Sequence, residues 1–146
     1  MKSTNIILNL LPTELQRMLE NKDLDNVLTY FMSNDISDEK LAYYLSNLAN
    51  QINTIEYHEM VANIYHFHFN YVDSAYNLAY YHYWQSLEIS QFKDQSLLNE
   101  FLEILDEPDF DMVSKENIEI VANKVLEKDL KMIHQLNMLN QRNNES

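Results

Sequence analysis

The chain has 146 residues, no glycine, no cysteine, and a net charge of −13 from ten Lys+Arg against twenty-three Asp+Glu. At average usage roughly ten glycines are expected, so folds that need positive φ at fixed places are excluded first: type I′ hairpins, phosphate-cradling loops and dinucleotide fingerprints. Missing cysteine removes disulfides, thiolate zinc sites and cysteine nucleophiles, and the acidic balance opposes direct contact with nucleic acid or an anionic membrane.

Two prolines leave long stretches free of helix breakers, and apolar residues recur with helical spacing throughout. Pro12 suits the first turn of a helix carrying Leu15, Met18 and Leu19, with an end near Asn21–Lys22. Asp23 is the expected cap of a second helix, with Leu24, Val27, Leu28 and Phe31 inward and a stop at Ser33–Asp35. Ser37 and Asp38 open a third, striped by Leu41, Tyr44, Leu45 and Leu48. Thr54 opens a fourth through Phe69, Asn70–Asp73 breaks the pattern, and Ser74–Ile89 makes a fifth. Asp94 caps a sixth to about Glu107, Pro108 ends it, and Ser114 starts a seventh through Ala122, Val125 and Leu126. The expectation is an all-α fold: antiparallel hairpins of about seven helices, as a repeat-like array or an irregular bundle. It forms one domain over residues 1–140, with a disordered tail at 141–146. The start shows no signal peptide and no window approaches the roughly 18 apolar residues of a membrane span, so a soluble, cytoplasmic protein is expected.

Charge and aromatics are segregated. Residues 41–92 contain no Lys or Arg and only four acids, yet hold thirteen of the seventeen aromatics. That composition belongs to a segment buried against its own chain or a partner, and it predicts self-association through the fourth or fifth helix.

Within this segment, V-A-N-I-Y at 61–65, A-Y at 75–76 and A-Y-Y-H-Y-W-Q-S-L-E-I at 79–89 resemble a tetratricopeptide repeat. Ala62 and Ala79 are small enough for close helix approach, and Tyr65 fills the space beside them. I-E-I-V-A-N-K-V-L-E-K-D at 118–129 resembles the closing helix of such a repeat, with Leu130 where proline is usual. The likeness covers about a third of the chain, and the first hairpin runs about four residues longer than the family's 34-residue period. More narrowly, W-Q-S-L-E at 84–88, Phe92 and S-K-E-N-I at 114–118 resemble the peptide-sensing half of Rgg-type regulators. Residues 1–60 lack the basic recognition helix that the DNA-binding half requires.

The fourth helix carries the informative stripe. Glu56, Glu59, Asn63 and His66 follow at steps of 3, 4 and 3 and share one face. The repeat resemblance places that face in a ligand groove on helices 54–69 and 74–89, with Asn63 against a peptide backbone. Tyr80 and Trp84 are the expected anchors, because such rings bury a large area and keep a polar tip. Two carboxylates with no cation nearby make the expected partner a basic protein or peptide. The alternative reading is an acidic inhibitor, of the kind mobile elements use, that occupies the basic channel of a nucleic-acid enzyme. Its patch would be Glu100, Glu103, Asp106, Glu107, Asp109 and Asp111. No enzyme motif, cofactor motif or metal spacing is present: His58–Glu59 lacks the second histidine of a zincin, and His66 and His68 point to different sides of a helix. The histidines are expected in an aromatic core.

Overall fold

A computed structural model describes residues 2–105, 107, 116–117, 119–127 and 137–138. Backbone contacts divide the chain into two units, Met1–Phe110 and Asp111–Ser146. The domain expected over residues 1–140 spans that division, and the expected tail at 141–146 lies outside the described residues.

The first unit is built from α1 (Lys2–Asn9), α2 (Thr13–Glu20), α3 (Val27–Ser33), α4 (Glu39–Ile52), α5 (Ile55–Asn63), a π-helical turn (Ile64–His68), α6 (Ala75–Ile89) and α7 (Gln95–Leu105). No strand occurs among the described residues, as the sequence predicts. No helix among them is long and apolar enough to cross a membrane. In the second unit, residues 116–117 and 119–127 are helical, and the expected start at Ser114 lies outside the described residues.

Side-chain caps set several starts. Asp38 accepts from the Lys40 amide at 3.1 Å, Thr54 from that of Tyr57 at 3.3 Å, and Asp94 from that of Ser96 at 2.9 Å. Two expectations need correction. Helix α1 precedes Pro12, where none was expected. Asp23 does not cap α3; its amide closes α2 on Met18 O at 2.8 Å, its carboxylate holds the Asn26 side chain at 2.8 Å, and the helix starts at Val27.

The glycine-free chain still uses the left-handed region. Lys22, Asp35 and Gln91 have φ of 58°, 48° and 57° just beyond α2, α3 and α6. The amide after each returns to the third residue from the helix end: Asp23 to Met18 O, Ile36 to Phe31 O, and Phe92 to Leu87 O, at 2.8, 3.1 and 2.9 Å. This is the Schellman closure, normally made with glycine. A residue with a Cβ costs roughly 1–2 kcal/mol there, so the burial that each closure completes has to offset that cost. Leu19, Phe31 and Leu87, near the three ends, are buried.

Helices α5 and α6 run antiparallel at the centre. Their side-chain pairs descend on one as they ascend on the other, from Ser86 on Ile55 O through His82 on His58 to Tyr76 beside His66. Helix α4 covers one side of this hairpin and α7 the other. Ala62 and Ala79 are both fully buried, which permits the close approach. After Asn63 the helix widens: the Phe69 amide reaches back to Ile64 O at 3.0 Å, an i→i+5 bond. Ile64, Tyr65 and His66 are buried in succession, as Met60, Val61 and Ala62 are in the α-helical turn before them.

Candidate functional site

Two pockets on the first unit share Leu24, Asp25 and Glu56 and form one groove between the α2–α3 connection, the end of α4, and α5. The smaller holds about 120 Å³ and adds Leu28, Glu59, Met60 and Asn63. The larger holds about 560 Å³ and adds Leu19, Ile52, Thr54 and Tyr57, with Glu20 and Lys22 at its rim. Glu20, Asp25, Glu56 and Glu59 thus face a leucine- and tyrosine-lined floor with a single ammonium, Lys22.

The stripe residues separate. Glu56, Glu59 and Asn63 line the groove together. His66 is buried at 3% exposure, and its Nε2–H donates to Glu107 at 2.9 Å. Its Nδ1 lies 3.1 Å from the Tyr83 hydroxyl, which donates to Asn63 Oδ1 at 2.8 Å. With Tyr83 donating away, both ring nitrogens of His66 face acceptors. Tyr80 and Trp84 face α7: their ring centroids lie 5.3 and 5.6 Å from Phe101, and Trp84 also meets Phe92 at 5.3 Å. Tyr80 and Trp84 are absent from the groove lining, which Asp25, Leu24 and Tyr57 share with the stripe carboxylates.

Members of the expected acidic patch divide as well. Glu103 is exposed, Glu107 pairs with His66, and Glu100 turns toward Glu59. Burial, then the hydrogen bond to Glu59, push the Glu100 carboxyl up to about 8, with Glu59, Glu103 and Asp94 adding charge repulsion. One Glu100 oxygen is enclosed without a hydrogen-bond partner among the described residues. Glu100 therefore tends to keep its proton near neutrality. Burial, reinforced by Glu100, Glu103 and Glu59, also holds the Tyr83 phenol well above its ordinary value. Asp106, Asp109 and Asp111 lie outside the described residues.

On the α4 side of the hairpin stands a second polar array. Asn53 Oδ1, His58, His82 and Ser46 form a chain with links of 2.8, 2.8 and 2.7 Å. Both histidines are fully buried, and Ser46 is nearly so. The amide oxygen only accepts, so His58 Nε2–H donates to it and its Nδ1 accepts. His82 Nδ1–H then donates to His58, and its Nε2 accepts from the Ser46 hydroxyl. Both rings are neutral in this order. Burial lowers His58, and burial with His58 beside it lowers His82 to about 3. His68 donates to Ile36 O at 2.6 Å, joining the π turn to the α3–α4 connection.

Among the described residues no group of three His, Cys, Asp or Glu side chains is placed to hold a metal ion. The chain matches no family model, no curated protein and no solved structure.

The sequence pattern points to the stripe carboxylates but not to Asp25, which has no helical register with them. It does not pair His58 with His82 either, since 24 residues separate them. The tyrosine stripe Tyr76, Tyr80 and Tyr83 was the available signal for a polar interior, because a buried phenol needs a partner.

Proposed function

We propose that the protein is a binding module for a basic, apolar segment of another protein or peptide, taken up in the groove beside α5. The observation that carries this reading is the groove's lining: four carboxylates around an apolar floor, with one lysine at the rim. An extended or helical segment could lay leucine-like side chains on Leu19, Leu24, Ile52 and Tyr57 and bring lysine or arginine to Asp25, Glu56 and Glu59. Asn63 supplies an amide beside them, although its oxygen is engaged by Tyr83. A partly enclosed site strengthens such ion pairs relative to an open surface.

The test is titration with a leucine–lysine peptide, with its leucine–glutamine analogue as control. Asp25→Asn with Glu56→Gln, both exposed and away from the interior networks, is expected to weaken the lysine peptide about tenfold, roughly 1.4 kcal/mol, and leave melting unchanged. Equal affinity of the two peptides, or of the variant and the parent, rejects the groove as the recognition site.

A further inference from the structure

The histidine chain ends where the groove begins. Asn53 is the residue that turns α4 into α5, held at φ 56° with its amide on Ala49 O at 2.7 Å. Its neighbours Ile52 and Thr54 both line the larger pocket. The Asn53 side chain is held from inside by His58, which is held by His82 on α6, which is held by Ser46 on α4. Three elements are joined along one line, buried at Ser46, His82 and His58 and exposed at Asn53.

We infer that Asn53–His58–His82–Ser46 is an acid-sensitive clasp on the α4–α5 joint, closed while both rings are neutral, whose opening releases the occupant of the groove. The release arm rests on the binding function proposed above; the clasp itself does not.

The chemistry follows from the donor order. The chain can take one proton only if Ser46 turns its hydroxyl away and accepts from His82. A second proton sets two N–H groups face to face across 2.8 Å. Either step puts charge where nothing compensates it. The groups that face the rings are each other, the Ser46 hydroxyl from α4, the Asn53 amide, and the Tyr81 ring edge-on to His82 at 4.9 Å on α6. Neither ring is paired with a carboxylate among the described residues. An opened joint exposes histidines of ordinary basicity, near 6.5. Below that pH the open form binds protons that the closed form refuses, and the opening equilibrium grows by up to about tenfold per pH unit for each proton taken. Asn53 then loses its inner partner, and a non-glycine residue at positive φ has less to hold it there.

Two measurements on the whole chain decide the clasp. Long-range ¹⁵N–¹H spectra at pH 7.5 should show His58 protonated at Nε2 and His82 at Nδ1; the same tautomer in both rings overturns it. Amide exchange, corrected for intrinsic rate, should show protection across residues 51–58 falling at least tenfold from pH 7 to 5.5, while that of 97–104 in α7 holds. In His82→Gln the fall should shrink; an unchanged profile in the variant, or equal loss in both segments, also overturns it. If that variant does not fold, the tautomers and the wild-type exchange still decide. The leucine–lysine peptide reads the release arm: it should leave at pH 5.5 from the wild type. Retention at pH 5.5 with the joint open removes the coupling and leaves the groove. Failure to bind at pH 7 removes the groove and the release arm together, and leaves the clasp to the first two measurements.

Discussion

The hairpin of α5 and α6 carries a polar array on each side, and the two solve burial in opposite ways. Facing α4, the chain Ser46–His82–His58–Asn53 is neutral, and every ring nitrogen in it has one role and one partner. Facing α7, Asn63, Tyr83, His66 and Glu107 are joined, and the raised Glu100 carboxyl is hydrogen-bonded to Glu59 with its other oxygen unpartnered among the described residues. A closed neutral chain specifies geometry at little cost, because no charge is desolvated. An array with carboxylates keeps an electrostatic penalty that varies with pH. The interior of this protein is therefore asymmetric: acid opposes one side, base the other.

The largest expected effect is on the acid limb. His82 sits near 3 in the folded protein and 6.5 when exposed. Its folded value is depressed, so its contribution is intact above 6.5 and is lost as pH falls toward 3. Between pH 7 and pH 4 the loss is about 3 kcal/mol for this ring alone, taking roughly 1.4 kcal/mol per unit. The difference between wild type and His82→Gln in urea unfolding isolates it from carboxylates that titrate in both. Parallel pH profiles would show that His82 is not buried neutral.

A smaller effect belongs to the α7 side. Tyr83→Phe removes the hydroxyl that serves both Asn63 and His66 in an almost fully buried site. Leaving those groups without a partner is expected to cost about 2 kcal/mol, with the acid limb of the histidine chain unchanged. A loss below about 0.5 kcal/mol in urea unfolding at pH 7 would mean that the two arrays are not comparably dry.

Much of this fold is legible in the periodicity. Leu15, Leu19, Val27, Phe31, Leu41, Leu45 and Leu48 were placed inward by helical spacing, and all are buried. Thr54 and Asp94 cap helices as their residue types predict. What spacing could not show has specific causes. Lys22, Asp35 and Gln91 take positive φ without the residue that usually marks it, because tertiary burial outweighs the local cost. His66 meets the same Tyr83 hydroxyl as Asn63, so the stripe runs from the groove into the interior instead of along one open face. Tyr80 and Trp84 meet aromatic partners on α7, and a stripe of rings reads the same whether a helix or a ligand covers it. The groove acids were half visible: Glu56 and Glu59 by register, Asp25 only through the turn that brings it near.

The smallest effect, and the sharpest test of the asymmetry, is on the alkaline limb. Glu100 is raised to about 8 in the fold from an ordinary 4.5. Its folded value lies above the unfolded one, so its favourable contribution is complete below 4.5 and is lost as pH rises through 8. At pH 9 the folded wild type must ionise Glu100 beside Glu59, with an oxygen that no group among the described residues donates to. Glu100→Gln keeps the shape, cannot ionise, and offers Glu59 a permanent N–H. The carboxyl is not fully enclosed, so solvent screening reduces the expected gain to roughly 1 kcal/mol at pH 9, shrinking toward zero near pH 4.5. The sign is what separates the two arrays: removing a titrating group should stabilise toward base on the α7 side, and toward acid on the α4 side. Urea unfolding of both variants at pH 4.5, 7 and 9 measures this crossing. A Glu100→Gln protein that is weaker than wild type at pH 9 would mean that the ionised carboxylate finds a donor, and that the two sides of α6 are alike.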